Sequence, residues 1–298
     1  MPSLHLTSLA LALIAAVPQA EAVQVLLAGD STMANTGGGG NTGTAGWGKY
    51  LGQYLSISVT NNAIGGRSAR SYTDEGRFDT LISQAAKGDY VVIEFGHNDG
   101  SAGSVDNGRQ DAHSNGYDDT EVVYDSSGNA ITIHSYNYYI TNAVKSLQAK
   151  GAIPIVSSQT PNNGWTDGHI GEPGRFVQYA ADVAANTSST YIDHYAYVAQ
   201  AYNALGETTV NAFYPVDHTH TSPDGANVVA QAFVRGLLCS DSGLKSSVNS
   251  AGQAVPSRLL SKIVSMDACE DPEVMAGLCL RFDCQRPCVC RAAIKIYS

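Results

Sequence analysis

The sequence predicts an α/β fold, a three-layer α/β/α sandwich in which parallel strands lie between two layers of helices. Short β-rich apolar runs alternate with longer segments of helical periodicity along most of the chain, and this alternation is typical of strands joined by crossover helices. A chain of 298 residues can build one such domain with a sizeable core. Because ligands of open parallel sheets bind beyond the carboxyl ends of the strands, we expect the functional residues at that rim.

Strands and helices alternate in a regular order along the predicted domain. The predicted strands are Val23–Ala28, Ser58–Ala63, Tyr90–Phe95, Ile153–Ser157 and Thr190–Asp193. The predicted helices are Trp47–Leu55, Phe78–Ala86, Tyr136–Lys150, Arg175–Asn186, Tyr195–Leu205 and Pro223–Leu238. Two long polar segments, Gly37–Gly46 and Gly100–Ser135, are predicted to be surface loops, the second with a hairpin over Val122–Ile133.

The two ends of the chain differ from its middle. Residues 1–22 contain an apolar stretch and end in Ala20-Glu21-Ala22, which predicts a signal peptide and a secreted, extracellular protein. The folded domain is expected over residues 23–240. Residues 241–298 lose the periodic apolar pattern, so we expect a cysteine-rich tail that is partly disordered or a gene-model extension.

All six cysteines lie in the last fifth of the chain. In an exported protein, disulfide bonds are the default expectation for such residues. A zinc site built from the last four cysteines is the alternative, but their spacing lacks paired C-x-x-C motifs. The six are Cys239, Cys269, Cys279, Cys284, Cys288 and Cys290.

The charge of the chain excludes two classes of partner. A formal net charge of −10 repels phosphate backbones and anionic lipid surfaces, so neither nucleic acid nor a membrane is expected as a partner. After the first 22 residues no apolar run is long enough to span a bilayer. We expect a monomer, with Asn186-Thr187-Ser188 as a candidate N-glycosylation site.

Ser31 is the candidate nucleophile. It follows the apolar run Leu26-Leu27-Ala28 and the turn residues Gly29-Asp30, so a tight turn can expose it at the end of a strand. A nucleophilic serine needs a base that takes its proton and donors that stabilise the oxyanion it creates. The rest of the sequence can therefore be searched for these partners.

The segment Asp217-His218-Thr219-His220 supplies a candidate base. A D-x-x-H spacing lets the carboxylate reach Nδ1 of His220 while Nε2 faces the serine, as a Ser-His-Asp triad requires. Asp217 would orient the imidazole and stabilise its charged form, and His218 is assigned a structural role. A metal site formed by Asp217, His218 and His220 is the alternative.

Two further strand ends offer oxyanion donors. Asn98 follows a predicted strand in the run Gly96-His97-Asn98-Asp99, and its carboxamide can donate a hydrogen bond. Gly66, at the end of another strand, can present a bare backbone N–H. The alternatives are an ordinary Asn-Asp turn and a turn that opens a helix.

Taken in order, Gly29-Asp30-Ser31, Gly66, Gly96-His97-Asn98-Asp99 and Asp217-x-x-His220 resemble the four motif blocks of the SGNH (GDSL) hydrolase superfamily. Within it, the stretch from Val23 to Cys239 is similar to the fungal rhamnogalacturonan acetylesterases. The resemblance implies a flavodoxin-like fold with a five-stranded parallel sheet. It also implies that Ser31, Asp217 and His220 are catalytic, and that the N–H groups of Ser31 and Gly66 form an oxyanion hole with the Asn98 side chain.

The resemblance further implies a reaction and a substrate. The expected reaction is the removal of acetyl groups from galacturonate units in the rhamnogalacturonan part of pectin, through an acyl-enzyme and without metal or organic cofactor. An acetylesterase for xylan or other glycans, a GDSL lipase or phospholipase, and a non-catalytic carbohydrate-binding protein are the alternatives. Unlike the fungal esterases that it resembles, this chain lacks a cysteine pair near Asp106–Tyr124. Cys239 matches the first cysteine of their C-terminal disulfide, with Cys269 or Cys279 as partner.

Several side chains near the predicted rim are candidates for contact with an acidic sugar. Arginine side chains can form bidentate contacts with galacturonate carboxylates, although ordinary ion pairing is the alternative for each. Aromatic side chains can stack on sugars or simply pack in the core. The candidates are Arg67, Arg70, Arg77 and Arg109 for the carboxylate, and Tyr72, Tyr117 and Trp165 for stacking.

Overall fold

The computed structural model describes residues 22–38, 43–100 and 103–256. Its strands are β1 (Val25–Gly29), β2 (Val59–Asn61), β3 (Tyr90–Glu94), β4 (Thr120–Tyr124), β5 (Ala130–His134), β6 (Ile153–Ser157), β7 (Trp165–Thr166), β8 (His169–Ile170) and β9 (Thr190–Ile192). Its α-helices are α1 (Gly48–Leu51), α2 (Ala69–Asp74), α3 (Arg77–Gln84), α4 (Tyr136–Ala149), α5 (Arg175–Thr187), α6 (His194–Leu205), α7 (Glu207–Asn211), α8 (Pro223–Cys239) and α9 (Ser250–Gln253).

Five parallel strands form the central sheet in the order β2-β1-β3-β6-β9. The prediction of an α/β sandwich with a five-stranded parallel sheet is therefore confirmed. This strand order is flavodoxin-like. From β1 the chain adds β2 on one side of the sheet and then β3, β6 and β9 on the other, so the winding changes side between β1 and β3. The carboxyl ends of those two strands thus flank the crevice in which such folds bind ligands.

The alternating side chains of the strands face two separate apolar cores. Val25 and Leu27 of β1 pack in one core with residues of α1, α6 and α8, whereas Leu26 and Ala28 pack in the other with residues of α2 to α5. Because successive strand residues point to opposite faces, one apolar run supplies both cores. Within the part of the chain that the structure describes, no helix has both the length and the apolar character that a membrane span needs.

A buried polar cluster joins the sheet to the helical layer beside it. Glu94, the last residue of β3, accepts hydrogen bonds from Trp47 Nε1 at 2.8 Å and from Ser157 Oγ at 2.6 Å. Its Oε2 lies 2.8 Å from Nδ1 of His194, whose Nε2 lies 2.9 Å from the carbonyl oxygen of Val229. Both ring nitrogens of His194 therefore face oxygen atoms, and the ring connects the end of β3 to α8.

The predicted helix Trp47–Leu55 is too long, because the structure ends α1 at Leu51. Beyond that point the chain turns so that Leu55 pairs with Val248 and the N–H of Ser56 donates to the carbonyl oxygen of Ser247 at 2.8 Å. The apolar residues that suggested four more helical positions instead pack against a segment from the other end of the chain.

The folded part of the chain continues past Ser240, where the predicted tail begins. Residues Gly243–Ser247 form a 3₁₀ helix that is followed by α9. The side chains of Leu244, Val248 and Val255 are buried in the core shared with α8. The signal peptide and the cysteines after Cys239 lie outside the described residues, so those predictions remain predictions.

The long polar segment after β3 contains the predicted hairpin. Strands β4 and β5 pair in antiparallel fashion, with Tyr124 opposite Ala130. On the outer side, the N–H of Asp106 donates to the carbonyl oxygen of Tyr124 at 2.8 Å. The carboxylate of Asp106 also pairs with the buried Arg70 guanidinium of α2 at 2.8 Å, so this segment is fastened to the domain without a disulfide near it.

Candidate active site

Three side chains predicted as a triad lie in one hydrogen-bonded row. Ser31 Oγ is 2.8 Å from His220 Nε2, and His220 Nδ1 is 2.7 Å from Asp217 Oδ2. The serine follows β1, whereas the other two residues lie in the loop that leads into α8. The imidazole can take the serine proton on one nitrogen while the carboxylate stabilises the charge on the other.

The turn that exposes the serine is fixed by the residues just before it. Asp30 accepts hydrogen bonds from the N–H and the hydroxyl of Thr32, both at 2.8 Å. A Cβ on Gly29 would lie 2.8 Å from the carbonyl oxygen of Glu94, so a side chain there would collide with the backbone of β3. Gly29 and Asp30 thus shape the turn that carries Ser31.

The loop that carries His220 is held from two sides. Asn163 donates its backbone N–H to the carbonyl oxygen of His218 at 2.7 Å, and Thr219 donates its hydroxyl to the side chain of Asn162 at 3.0 Å. On the other side, the N–H of Ala45 donates to the carbonyl oxygen of Thr221 at 2.9 Å. His218 therefore contributes backbone contacts to this loop, in agreement with a structural role.

The carboxylate of Asp217 is stabilised in its charged form. Its partial burial raises the pKa, but the hydrogen bonds from the His220 ring and from the N–H groups of Thr219 and His220 lower it by more, so the net shift is downward. Both N–H groups lie 2.8 Å from Oδ1. The Asp217 carboxylate is thus negatively charged at neutral pH and can stabilise a protonated imidazole ring.

Gly66 and Asn98 lie beside the serine. Gly66 has φ +76°, a left-handed conformation that favours glycine, and both it and Asn98 line the same cavity as Ser31. The Asn98 amide donates to the carbonyl oxygen of Arg67 at 3.0 Å, while its own oxygen accepts from Arg109 Nη1 at 3.2 Å. These contacts leave the second N–H of the amide available for a substrate oxygen.

Two buried carboxyl groups lie behind Asn98. Burial raises the pKa of Asp99 to about 7, and burial together with the charge of Asp99 raises the pKa of Asp111 well above its ordinary value. If both were ionised, the second oxygen of Asp99 and both oxygens of Asp111 would have no donor. A proton retained on Asp111 supplies one, because it lets Asp111 donate to Asp99. Sequence reasoning did not identify Asp111.

A cavity of about 510 Å³ opens over Ser31 and His220. Gly38 lies against the imidazole of His220, and any side chain at this position would overlap the ring. The glycine-rich loop was predicted only as a surface loop, so its contact with the base was missed. The lining residues are Ser31, Thr36, Gly37, Gly38, Gly65, Gly66, Asn98, Arg109 and His220.

The four candidate arginines have different surroundings. Arg67 and Arg77 both pair with Glu75, and Arg70 is buried against Asp106 and Asp74. For these three, the ion-pairing interpretation describes the structure. Arg109 alone among the four lines the cavity.

Among the aromatic candidates, Tyr72 is buried and donates its hydroxyl to the carbonyl oxygen of Asn62 at 2.9 Å, so it is a packing residue. Trp165 donates to Asn163 and packs beside the core. Tyr117 is 38% exposed, but it lines a different cavity.

The described residues contain no group of three or more His, Cys, Asp or Glu side chains arranged to hold a metal ion. Asp217 and His220, two members of the alternative metal site, bond to each other instead. The geometry here therefore supports proton transfer to a ring nitrogen.

Comparison with known proteins shows which family this chain resembles in sequence. Residues 25–233 match the GDSL-like lipase/acylhydrolase family. The chain is 48% identical over 241 residues to the rhamnogalacturonan acetylesterase of Emericella nidulans, covering 80% of this chain and 93% of that protein. It is 25% identical to the probable rhamnogalacturonan acetylesterase YesY of Bacillus subtilis, over 72% of this chain and 91% of that protein.

A solved structure shares the fold. The YxiM protein of Bacillus subtilis matches with a TM-score of 0.58 and 20% identity, over 72% of this chain. The match covers 56% of the YxiM chain, so this chain spans a little over half of that length. The likeness supports the sandwich architecture.

Proposed function

Since this chain belongs to the GDSL-like lipase/acylhydrolase family, and is therefore a serine carboxylic-ester hydrolase, we propose that it removes acetyl groups from the rhamnogalacturonan part of pectin. The observation that carries this proposal is the Ser31–His220–Asp217 row in a chain nearly half identical to a fungal rhamnogalacturonan acetylesterase. The substrate would be a galacturonate unit that bears an acetyl ester.

In the proposed mechanism, His220 takes the proton of Ser31 as the hydroxyl attacks the acetyl carbonyl carbon. The imidazolium then gives that proton to the departing sugar oxygen, which leaves an acetyl-serine. A water molecule attacks this ester while His220 again acts as base, and acetate leaves as the serine recovers its proton. Asp217 stabilises the imidazolium in both steps.

The tetrahedral intermediates need donors for their oxyanion. We assign this role to the backbone N–H groups of Ser31 and Gly66 and to the side-chain amide of Asn98. Their common place around one cavity supports the assignment. Each such donor is worth about 2.7–4 kcal/mol of transition-state stabilisation in related oxyanion holes.

The surroundings favour a polar polymer over a lipid. None of the nine residues that line the cavity has a large apolar side chain, whereas a lipase needs an apolar trough for its acyl chain. The side chains of His220 and Asp217 are 20% and 43% exposed, and Ser31 lines an open cavity, so a polysaccharide can reach the row from solvent. A non-catalytic sugar-binding protein has no use for a serine bonded to an imidazole.

The test is acetate release from acetylated rhamnogalacturonan, acetylated xylan and a long-chain ester, with wild type and Ser31→Ala. We expect wild type to prefer the pectic polymer and the variant to lose turnover while keeping its circular dichroism spectrum. Stoichiometric labelling by a serine-reactive phosphonate should be lost in the same variant. Preference for xylan or the long-chain ester would overturn the substrate, and near-normal turnover by Ser31→Ala would overturn the mechanism.

The same proposal includes the setting in which the enzyme works. A pectic substrate lies outside cells, which agrees with the signal peptide predicted from residues 1–22. An N-glycan at Asn186, a disulfide at Cys239 and a monomeric state belong to this proposal. Intact mass of the protein recovered from culture medium, before and after reduction and deglycosylation, tests removal of the signal peptide, the N-glycan and the disulfide together.

A further inference from the structure

Arg109 differs from every other arginine considered for substrate contact. Its three counterparts are neutralised by Glu75, Asp74 or Asp106, and none of the three lines the serine cavity. Arg109 has no carboxylate within ion-pair distance among the described residues. It therefore brings an uncompensated positive charge to the edge of the reacting centre.

The backbone that carries Arg109 is held in a hydrogen-bonded turn, and its side chain makes one contact with the proposed site. Arg109 Nη1 donates to Asn98 Oδ1 at 3.2 Å, which uses one of its five N–H donors. The backbone N–H of Arg109 donates to Asn107 Oδ1 at 2.8 Å, and the same oxygen accepts from the N–H of Gln110. The loop is anchored in turn by the Arg70–Asp106 ion pair. An arginine held in this way loses less entropy when it binds an anion than a free surface arginine does.

We infer that Arg109 binds the carboxylate of the galacturonate unit whose acetyl ester is cleaved, and so selects acidic over neutral acetylated sugars. This inference rests on the proposed function and adds the residue that recognises the charge. Arginine donors are arranged to match a carboxylate in a bidentate contact. Arg109 is bonded directly to the side chain of Asn98, a proposed oxyanion donor, and both residues line the cavity that contains Ser31.

The experiment crosses the charge of the enzyme with the charge of the substrate. Acetylated rhamnogalacturonan oligosaccharides are used as free acids and as methyl esters, which carry the same acetyl groups without the negative charge. Initial rates give kcat/KM for wild type, Arg109→Gln and Arg77→Gln. The last variant is the matched control, because it removes the same charge from an arginine that pairs with Glu75.

We expect wild type and Arg77→Gln to prefer the free acid by about tenfold, the size of one charge-assisted hydrogen bond, and mainly through KM. Arg109→Gln should process both substrates equally. Arg109→Lys should recover part of the preference, because it restores charge without the planar donors. Added salt should reduce the wild-type preference.

Each alternative outcome has a distinct meaning. If Arg109→Gln lowers kcat/KM by the same factor on both substrates, the preference for the free acid is retained. That result would overturn the inference and assign Arg109 only to the positioning of Asn98. A wild type with strong turnover but no preference for the free acid would also overturn it and leave the proposed function intact. A wild type that releases no acetate from either oligosaccharide would overturn the proposed function, and this inference with it.

Discussion

Asp99 accepts a hydrogen bond at 2.7 Å from the backbone N–H of Ala69, and this contact ties the turn after β3 to the start of α2. Asn98 lies next to the first of these residues, and Gly66 lies three positions before the second. Two of the three proposed oxyanion donors, Gly66 and Asn98, therefore belong to turns that are bonded to each other. One buried carboxyl group, that of Asp99, connects these two turns.

Replacement of Asn98 by alanine is expected to slow acetyl hydrolysis by about 10²–10³-fold in kcat, with KM little changed, because the amide acts on the transition state. Steady-state kinetics on a soluble acetyl ester measures this. Asn142→Ala, which removes an exposed amide bonded to Tyr117, should leave the rate intact. An unchanged kcat in Asn98→Ala would remove this residue from the oxyanion hole.

Asp111→Asn is expected to flatten the dependence of stability on pH. Asp99 and Asp111 have raised pKa values in the folded protein. In the unfolded chain each carboxyl group has its ordinary pKa of 3.8, so above that pH the folded protein keeps protons that the unfolded chain has released. The free energy of unfolding of wild type therefore decreases as pH rises from about 4 through 7, by up to about 1.4 kcal/mol per pH unit for each retained proton.

Urea unfolding between pH 4.5 and 7.5 measures the slope. The asparagine variant retains one proton fewer, so its stability should fall less steeply over that range. Asp118→Asn, at an exposed position, serves as control and should follow wild type. Parallel curves for Asp111→Asn and wild type would contradict the proton assigned to this pair.

Gly38→Ala is expected to lower kcat by tenfold or more without unfolding the protein, because the new methyl group would overlap the His220 ring and push it from Ser31. Gly164→Ala is the matched control, since a Cβ at that glycine meets open space. Kinetics and thermal unfolding of both variants decide the matter. Equal activity in the two would show that the glycine-rich loop can move away from the base.

Leu244→Ala is expected to destabilise the protein by about 2–5 kcal/mol, the cost of a large-to-small change at a fully buried position. Val122→Ala, at a 52% exposed position, should change stability by less than about 0.5 kcal/mol. Chemical denaturation compares them. A small effect at Leu244 would mean that the segment after Ser240 adds little to the core.

The long elements could be predicted from sequence because their own residues determine them. Strands β3 and β6 are continuous apolar runs, and α4, α5 and α8 repeat apolar residues at helical spacing. Helix α2 was missed, since Ala69–Asp74 is mostly polar and starts from a capping box at Ser68 rather than from an apolar period.

The site was predicted unevenly for a related reason. Ser31, Asp217 and His220 lie in short motifs whose spacing reflects their chemistry, so sequence alone can indicate them. Asp111 and Arg109 lie in a long polar segment whose path depends on Arg70, Asp106 and the paired hairpin. Nothing in the local sequence reveals which of its charged residues turn inward and which one reaches the cavity.

The hydroxyl and the imidazole of the row are 189 positions apart along the polypeptide. During synthesis the serine therefore emerges from the ribosome long before His220, and a nascent chain lacks the proposed triad until the loop that leads into α8 has been made. Ester hydrolysis would then report that the loop before α8 has docked beside the end of β1.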